Sequence, residues 1–464
     1  MDASIAQKVK LSLRLSLTHQ HAIALGLIVL AIAGGMLARA NTIGSATHVS
    51  ADENGYVANA NRMLSGERYA TFKWPPATSF AFAVATRLSG RHSLRLSTGA
   101  KGPAQYMQLV LGALALALVA ALTWLLAGPW AALIATAAVA SYEPLIDATR
   151  TFLSEPSGAF ALLAAVGAAA IARARFKRRH EWSAIAAAGA IGGAACLTRG
   201  DLAVGMGVLA LALAGRPGWR TGLSRAGVYL AALALVLVPW LAYASFTEGR
   251  FVPITTAGPD ALFIGTYLPG KGLLVPTEEQ LAPEVCRHFP SDCGRYWQHS
   301  SLPLFDLIAA RHPGMSEDAA VKAEIRENLN KYALGKPAAF ASMLWGKFWK
   351  MWTNAWSGGN GTYHPSTSQT QHLIYLWLAW IGLIAGAVLA RRFALLTSAA
   401  VLLAVAVAAT PFNDQPRYNV SLMALLLSAG VAGWWLAGER LLAIRRARRQ
   451  GAAVARAPSA HTAR

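Results

Sequence analysis

The sequence predicts an all-α polytopic membrane protein, a bundle of about ten transmembrane helices with limits of roughly eight and twelve, and three observations predict it. Of 464 residues, 55% are hydrophobic and only 14% charged, with a mean hydropathy of +0.38. A soluble domain carries charge on about a quarter of its residues. Apolar runs of about 17 residues or more recur along the chain, enough to cross a hydrocarbon layer as helices. The basic residues, finally, cluster between those runs. A net charge of +20 would suit nucleic acid if it lay on one surface. Here the inferred cytoplasmic segments hold 20 basic residues, and the three short outer loops hold one each, Arg150, Arg199 and Arg417. That asymmetry is an orientation signal, strengthened by attraction to anionic lipid. The expected partner is the bilayer, and nucleic acid is excluded.

Residues 1–18 carry Lys8, Lys10 and Arg14, and the apolar segment 21–37 reads as a first span entering from the cytoplasm. A cleaved signal peptide is the rival reading, disfavoured by the length of the run and by the poor cleavage site in Gly-Met-Leu-Ala-Arg-Ala. Residues 38–102 form the first outer loop, with helices expected at 53–65 and 76–88, the second headed by Pro76 in its first turn. Both are too short or too polar to cross, and they are expected to lie along the interface. Further spans follow at about 104–126, 129–146, 156–172, 182–197, 202–214 and 227–246. The basic run RARFKRRH and the segment GRPGWRTGLSR mark cytoplasmic turns.

Residues 247–370 hold 11 basic and 11 acidic residues and several prolines. They read as a mainly α outer segment, closed by LWGKFWKMWTNAW. Aromatics interleaved with lysines suit the headgroup level, with carbohydrate stacking as the functional alternative. Cys286 and Cys293 fall in this segment, where an oxidising exterior permits a disulfide that spacing alone does not establish; Cys196 reads as a packed residue within a span. Spans at 372–390, 393–410 and 418–437 complete the set, and the tail after Arg448 reads as disordered. The organisation is thus a transmembrane module at 1–246, the outer segment 247–370, C-terminal helices at 371–437 and a basic cytoplasmic tail at 438–464.

Of nine acids before residue 220, seven fall on the outer face: Asp52, Glu53, Glu67, Glu143, Asp147, Glu155 and Asp201. Ionisable groups at span ends that face a bundle interior are functional candidates. Helix capping is the plain alternative, most of all for Glu155 and Asp201, which start spans. It fits the adjacent Asp52 and Glu53 less well, because two neighbouring acids exceed what one cap needs. Lys73, Arg150, Arg199 and Arg417 occupy the same face and together make a cradle for a lipid-borne phosphate, or else separate headgroup anchors and ion-pair partners.

The order Asp52-Glu53, Tyr56, a helix, Gly66-x-x-Tyr69, Lys73 and Pro75-Pro76 after a first span resembles the GT-C class of membrane glycosyltransferases. It is nearest the branch of the protein O-mannosyltransferases and the lipid A aminoarabinose transferases. Arg150 with Leu153-Ser154-Glu155, Leu197-Thr198-Arg199, Arg417-Tyr418 and the phrase TTAGPDALFIGTYLPG extend the match over most of the chain. Each motif is short, and only the ordered set is specific. Trp74 is a departure, standing where the family has Lys-Pro-Pro without interruption.

The resemblance implies a GT-C-like enzyme that takes a sugar from a polyprenyl-phosphate donor and passes it to a protein, lipid or glycan acceptor. The implied setting is the outer face of a bacterial cytoplasmic membrane. Asp52 would be the catalytic base, Glu53 would orient Asp52 or the acceptor, and Glu155 would be a second acid in the pocket. Lys73, Arg150, Arg199 and Arg417 would hold the donor phosphate, and the motif tyrosines Tyr56, Tyr69 and Tyr418 would line the substrate site. No organic cofactor is expected; a divalent cation is optional, and no His/Cys spacing supports one. Two other classes stay open. A flippase or transporter for a lipid-linked sugar needs polar groups deep within spans, whereas these charges gather at one face. A non-catalytic envelope-assembly subunit has no need of the acid pair.

Overall fold

The computed structural model describes residues 3–45, 49–97, 99, 101–174, 180–215, 218–293, 302–356, 367–412 and 416–455. Among them every regular element is helical. The first helices are α1 (Ala3–Thr42), α2 (Ala51–Ser65), α3 (Pro76–Leu88), α4 (Pro103–Ala127), α5 (Pro129–Ala140) and α6 (Glu143–Ala148). Then come α7 (Glu155–Ala174), α8 (Glu181–Thr198), α9 (Leu202–Ala214) and α10 (Trp219–Glu248). Residues 247–370 contribute α11 (Gly258–Thr266), α12 (Leu274–His288), α13 (Leu302–Arg311), α14 (Glu317–Asn328) and α15 (Pro337–Thr353). The chain ends with α16 (Thr367–Ala385), α17 (Phe393–Ala409) and α18 (Arg417–Ala455).

Proline opens α3, α4, α5 and α15, where its fixed φ suits a helix start and its missing N–H is not needed. Gly66, at φ +73°, ends α2 and gives its N–H to Arg62 and Met63 carbonyls, a left-handed cap that a side chain would strain.

Six helical stretches are long and apolar enough to cross a membrane: His19–Thr42, Pro103–Ala127, Glu155–Ala174, Trp219–Glu248, Ser368–Leu389 and Arg417–Gln450. The other four segments expected to span are also helical. Of these, α5, α9 and α17 are apolar but shorter, and α8 has 18 residues. Helix α18 is the centre of the bundle, 83% of its apolar stretch being buried against α4, α5, α7, α16 and α17. At the periphery, only 6% of the apolar stretch of α10 is buried. Its exposed Leu235 and Val238 make sense facing lipid and not water.

Three boundaries differ from expectation. The segment expected as a span at 129–146 breaks after Ala140, because Tyr142 is extended and Pro144 starts the separate α6. Helix α10 begins at Trp219, so most of the described GWRTGLSR segment is helical. The tail is not disordered from Arg448: α18 continues to Ala455, as its alanines and arginines, good helix formers, allow. Residues 456–464 lie outside the described part, as do 175–179 of the basic run RARFKRRH.

Helices α11 to α14 have a small core of their own, with Phe263, Leu281, Val285, Leu304, Phe305 and Val321 buried. Cys286 and Cys293 are joined by a disulfide at the end of α12. In α15, Trp345 is 62% exposed while Trp352 is 2% exposed, so the tryptophans of that helix divide between its outer surface and the bundle.

Candidate active site

Helix α2 separates the two neighbouring acids into different tasks. Ser50 caps the helix, and Glu53 completes a capping box: its Oε2 accepts from the Ser50 N–H at 2.8 Å and from the Ser50 hydroxyl at 3.0 Å. The other oxygen, Oε1, accepts from the Phe152 N–H at 2.8 Å. Glu53 is buried and tied to backbone on two segments, where it holds α2 against the 149–154 loop.

Asp52 is left to the site. Its Oδ1 accepts from the Trp74 indole N–H at 3.1 Å, and its Oδ2 accepts from Arg417 Nη2. Trp74 lies across α2 where Gly55 leaves space, since a Cβ there would stand 2.2 Å from the indole ring. Burial alone would push the Asp52 carboxyl up. The Arg417 charge and hydrogen bond, the Trp74 hydrogen bond and more distant Arg199 outweigh it and hold Asp52 below the usual value.

From Arg417 the charges continue in alternation. Arg417 Nε is 3.8 Å from Glu155 Oε1, and the same oxygen accepts from Arg199 Nη1 at 3.2 Å. Arg199 in turn grips Asp201 bidentately, at 3.2 and 2.8 Å. Glu155, at the start of α7, is 1% exposed. Gly158, one turn on, makes room for Arg199, whose Cδ would lie 2.4 Å from an added Cβ. The Tyr418 ring lies 5.3 Å from the Arg199 guanidinium and 5.9 Å from that of Arg417. Tyr56 is buried beside Trp74 and Ser154, and burial raises its phenol.

Three carboxylates thus face two guanidiniums, and two polar atoms in the row are unused: Glu155 Oε2 and Arg417 Nε are buried without a hydrogen-bond partner. Such groups are costly unless a ligand or water completes them. Among the described residues no group of three or more His, Cys, Asp or Glu is placed to hold a metal ion.

Other expected residues stand apart from this row. Lys73 Nζ is 3.1 Å from Asp260 Oδ2 on α11, and Arg150 pairs with Asp147 at 3.6 Å. The Tyr69 ring packs with Phe72 and Trp240, at 5.4 and 5.0 Å, in an aromatic cluster that fixes residues 69–72 to α10. Trp74, Asp201 and Asp260 complete contacts that the motif residues alone do not. Trp74 was visible only as the residue interrupting Lys-Pro-Pro, and Asp260 lies 187 positions from its lysine. Beyond Phe412 an open cavity of about 340 Å³ is lined by Pro259, Leu262, Ile325, Lys322 and Arg326.

No family model matches the chain, and no curated protein matches it in sequence. Solved structures do match in fold. The oligosaccharyltransferase AglB of Archaeoglobus fulgidus, in complex with an inhibitory peptide and a dolichol-phosphate, superimposes with a TM-score of 0.50 at 15% identity over 95% of this chain and 52% of that one. The apo form of the A. fulgidus oligosaccharyltransferase gives 0.51 at 14% identity over 88% and 50%. ArnT of Cupriavidus metallidurans bound to undecaprenyl phosphate gives 0.40 at 16% identity over 88% and 78%. The chain therefore spans about half the length of the archaeal proteins it matches. It has the GT-C fold and is a multi-pass membrane protein.

Proposed function

We propose that this protein is a glycosyltransferase of the bacterial cytoplasmic membrane, with its site on the outer face. It moves a sugar from a polyprenyl-phosphate carrier to a hydroxyl on a protein, lipid or glycan acceptor. The observation that carries this reading is the meeting of Asp52, Glu155, Arg199 and Arg417 from four separate segments. A row of charges, Glu155 and Arg199 buried and Asp52 and Arg417 half-buried, with unused polar atoms is what a reactive site needs. The GT-C fold and the dolichol-phosphate held by the archaeal neighbour support the donor class.

In this reading the resting site keeps both guanidiniums on carboxylates. A donor phosphate competes with Asp52 for Arg417, and as it takes the guanidinium Asp52 loses the charge that keeps it a weak base. The acceptor oxygen then attacks the anomeric carbon and its proton passes to Asp52. The bond from that carbon to the phosphate oxygen breaks, and its electron pair leaves with the polyprenyl phosphate. Arg417 and Arg199 stabilise the charge that collects there, so no separate acid is required. Glu155 Oε2, buried and unpartnered, accepts a substrate hydroxyl. Lys73 and Arg150 reach the phosphate only by exchanging Asp260 and Asp147.

The test is binding of undecaprenyl phosphate to the purified protein in nanodiscs. Wild type binds, and Arg417→Met and Arg199→Met each weaken binding by at least about tenfold, the loss of one charged hydrogen bond. No binding by wild type, or binding as tight as wild type by both variants, rules out this donor site.

A further inference from the structure

Phe412 and Asn419, on either side of the start of α18, both bond to the stretch 347–354. Lys347, in α15, is 2% exposed. Its ammonium donates to the Phe412 carbonyl at 2.5 Å and to the Gly265 carbonyl at 3.3 Å. One turn further along, the Met351 and Asn354 carbonyls accept from the side-chain amide of Asn419, which is fully buried two residues beyond Arg417. Asn419, two residues beyond Arg417, is therefore fastened to the same stretch of α15 that Lys347 ties to α11 and Phe412.

The Lys347 contact is closely fitted. A Cβ on Gly265 would stand 2.0 Å from the Pro411 carbonyl oxygen, and one on Gly272 would stand 3.0 Å from Lys347 Nζ. Gly265 lies in the last turn of α11, where carbonyls without helical partners favour a cation. The same α11 carries Asp260, the partner of Lys73. A buried ammonium must be hydrogen-bonded to be tolerated, so the two carbonyls are held where it needs them.

We propose that Lys347 is a positioning residue which, together with Asn419, sets Arg417 against Asp52; the proposal rests on the reading of Asp52 and Arg417 as the reactive pair. Lys347 touches no substrate. It links the outer segment to the membrane-embedded site, so that a displacement of α11 or α15 is felt at the Asp52 carboxylate.

The test needs no substrate. Full-length protein in nanodiscs is treated with a hydrophobic carbodiimide, which modifies protonated carboxyls, over a range of pH, and the adduct at Asp52 is quantified by peptide mass spectrometry. Arg417→Met raises the labelling midpoint of Asp52, because the cation holding it down is gone. Lys347→Met raises it in the same direction by about one unit, a tenfold change in protonation, and Lys347→Arg restores it. Asn419→Leu gives the same upward shift from the other side of the clamp. A merely structural lysine lowers thermal stability without moving the midpoint. An unmoved midpoint in both Lys347→Met and Asn419→Leu, with Arg417→Met raised, overturns the positioning role and leaves the site reading intact. An unmoved midpoint in Arg417→Met contradicts the site reading itself. Should Lys347→Met not fold, Lys347→Gln is read in the same way.

Discussion

Arg417 donates to Asp52 across 365 positions of sequence, joining α2 to the first turn of the central helix. The contact fixes the sign of the pH response. Asp52 is held below its usual value, so the pair's contribution to stability is present above the unfolded carboxyl value and is lost as pH falls through the lower folded one. For activity, Arg417→Met is expected to move the acid limb of the kcat/KM profile, which reports the free enzyme, upward as well as to weaken donor binding. A profile that keeps its acid limb in place shows that Arg417 does not govern Asp52.

Trp74 orients Asp52 through a single hydrogen bond. Trp74→Phe keeps the ring and removes the donor, and is expected to lower turnover about three- to tenfold, the worth of one such bond. Gly55→Ala pushes a methyl into the same indole and should lower stability by about 1–3 kcal/mol through overpacking. Thermal denaturation and initial rates of the two variants separate the effects.

Glu53→Gln tests the division of labour in α2. The loss falls on the cap and the Phe152 N–H, and stability should drop by about 1–2 kcal/mol. The folded fraction is expected to turn over at nearly the wild-type rate. A large fall in turnover with an unchanged melting temperature would return Glu53 to the chemistry.

Glu278 supplies a pH test outside the membrane. It is 8% exposed on α12, without an ion pair or hydrogen bond among the described residues, and burial pushes its carboxyl up to about 7. Because the folded value is raised, the folded state holds the proton longer than the unfolded state. Stability is then full below the ordinary carboxyl value and falls as pH rises toward 7. Glu278→Gln should abolish that dependence and raise stability at pH 8 by an amount on the order of 2–3 kcal/mol, while changing little at pH 4. Equal effects at both pH values would show that burial does not perturb Glu278.

Much of the fold was legible because hydropathy and helix punctuation act locally. Pro76 and Gly66 sit at the helix ends expected of them, and each expected span contains a helix. Length was harder to read. Polar residues that carry α10 and α18 beyond their apolar stretches look like loop in sequence, since nothing local shows that a helix projects past the hydrocarbon layer. Within the site, Asp52, Glu155, Arg199 and Arg417 were readable as acids and cations near span ends, though their convergence was not. Pairing between distant segments is a tertiary property. For the same reason the partner of Lys73, Asp260, and the use of Trp74 as a donor to Asp52 left no local signal. Glu53 combines both cases: its bond to Ser50 is local, three positions away, while its bond to the Phe152 N–H joins distant segments.

The most direct measurement is the pool of lipid-linked sugars and envelope glycans in cells whose chromosomal copy carries Asp52→Asn, compared with wild type and with a deletion. The account predicts that the variant protein accumulates in the membrane at the normal level. Its glycans should match those of the deletion, with a polyprenyl-phosphate sugar building up behind the block. Cells with Asp52→Asn that keep wild-type glycans, while the deletion loses them, would contradict the role given to this carboxylate.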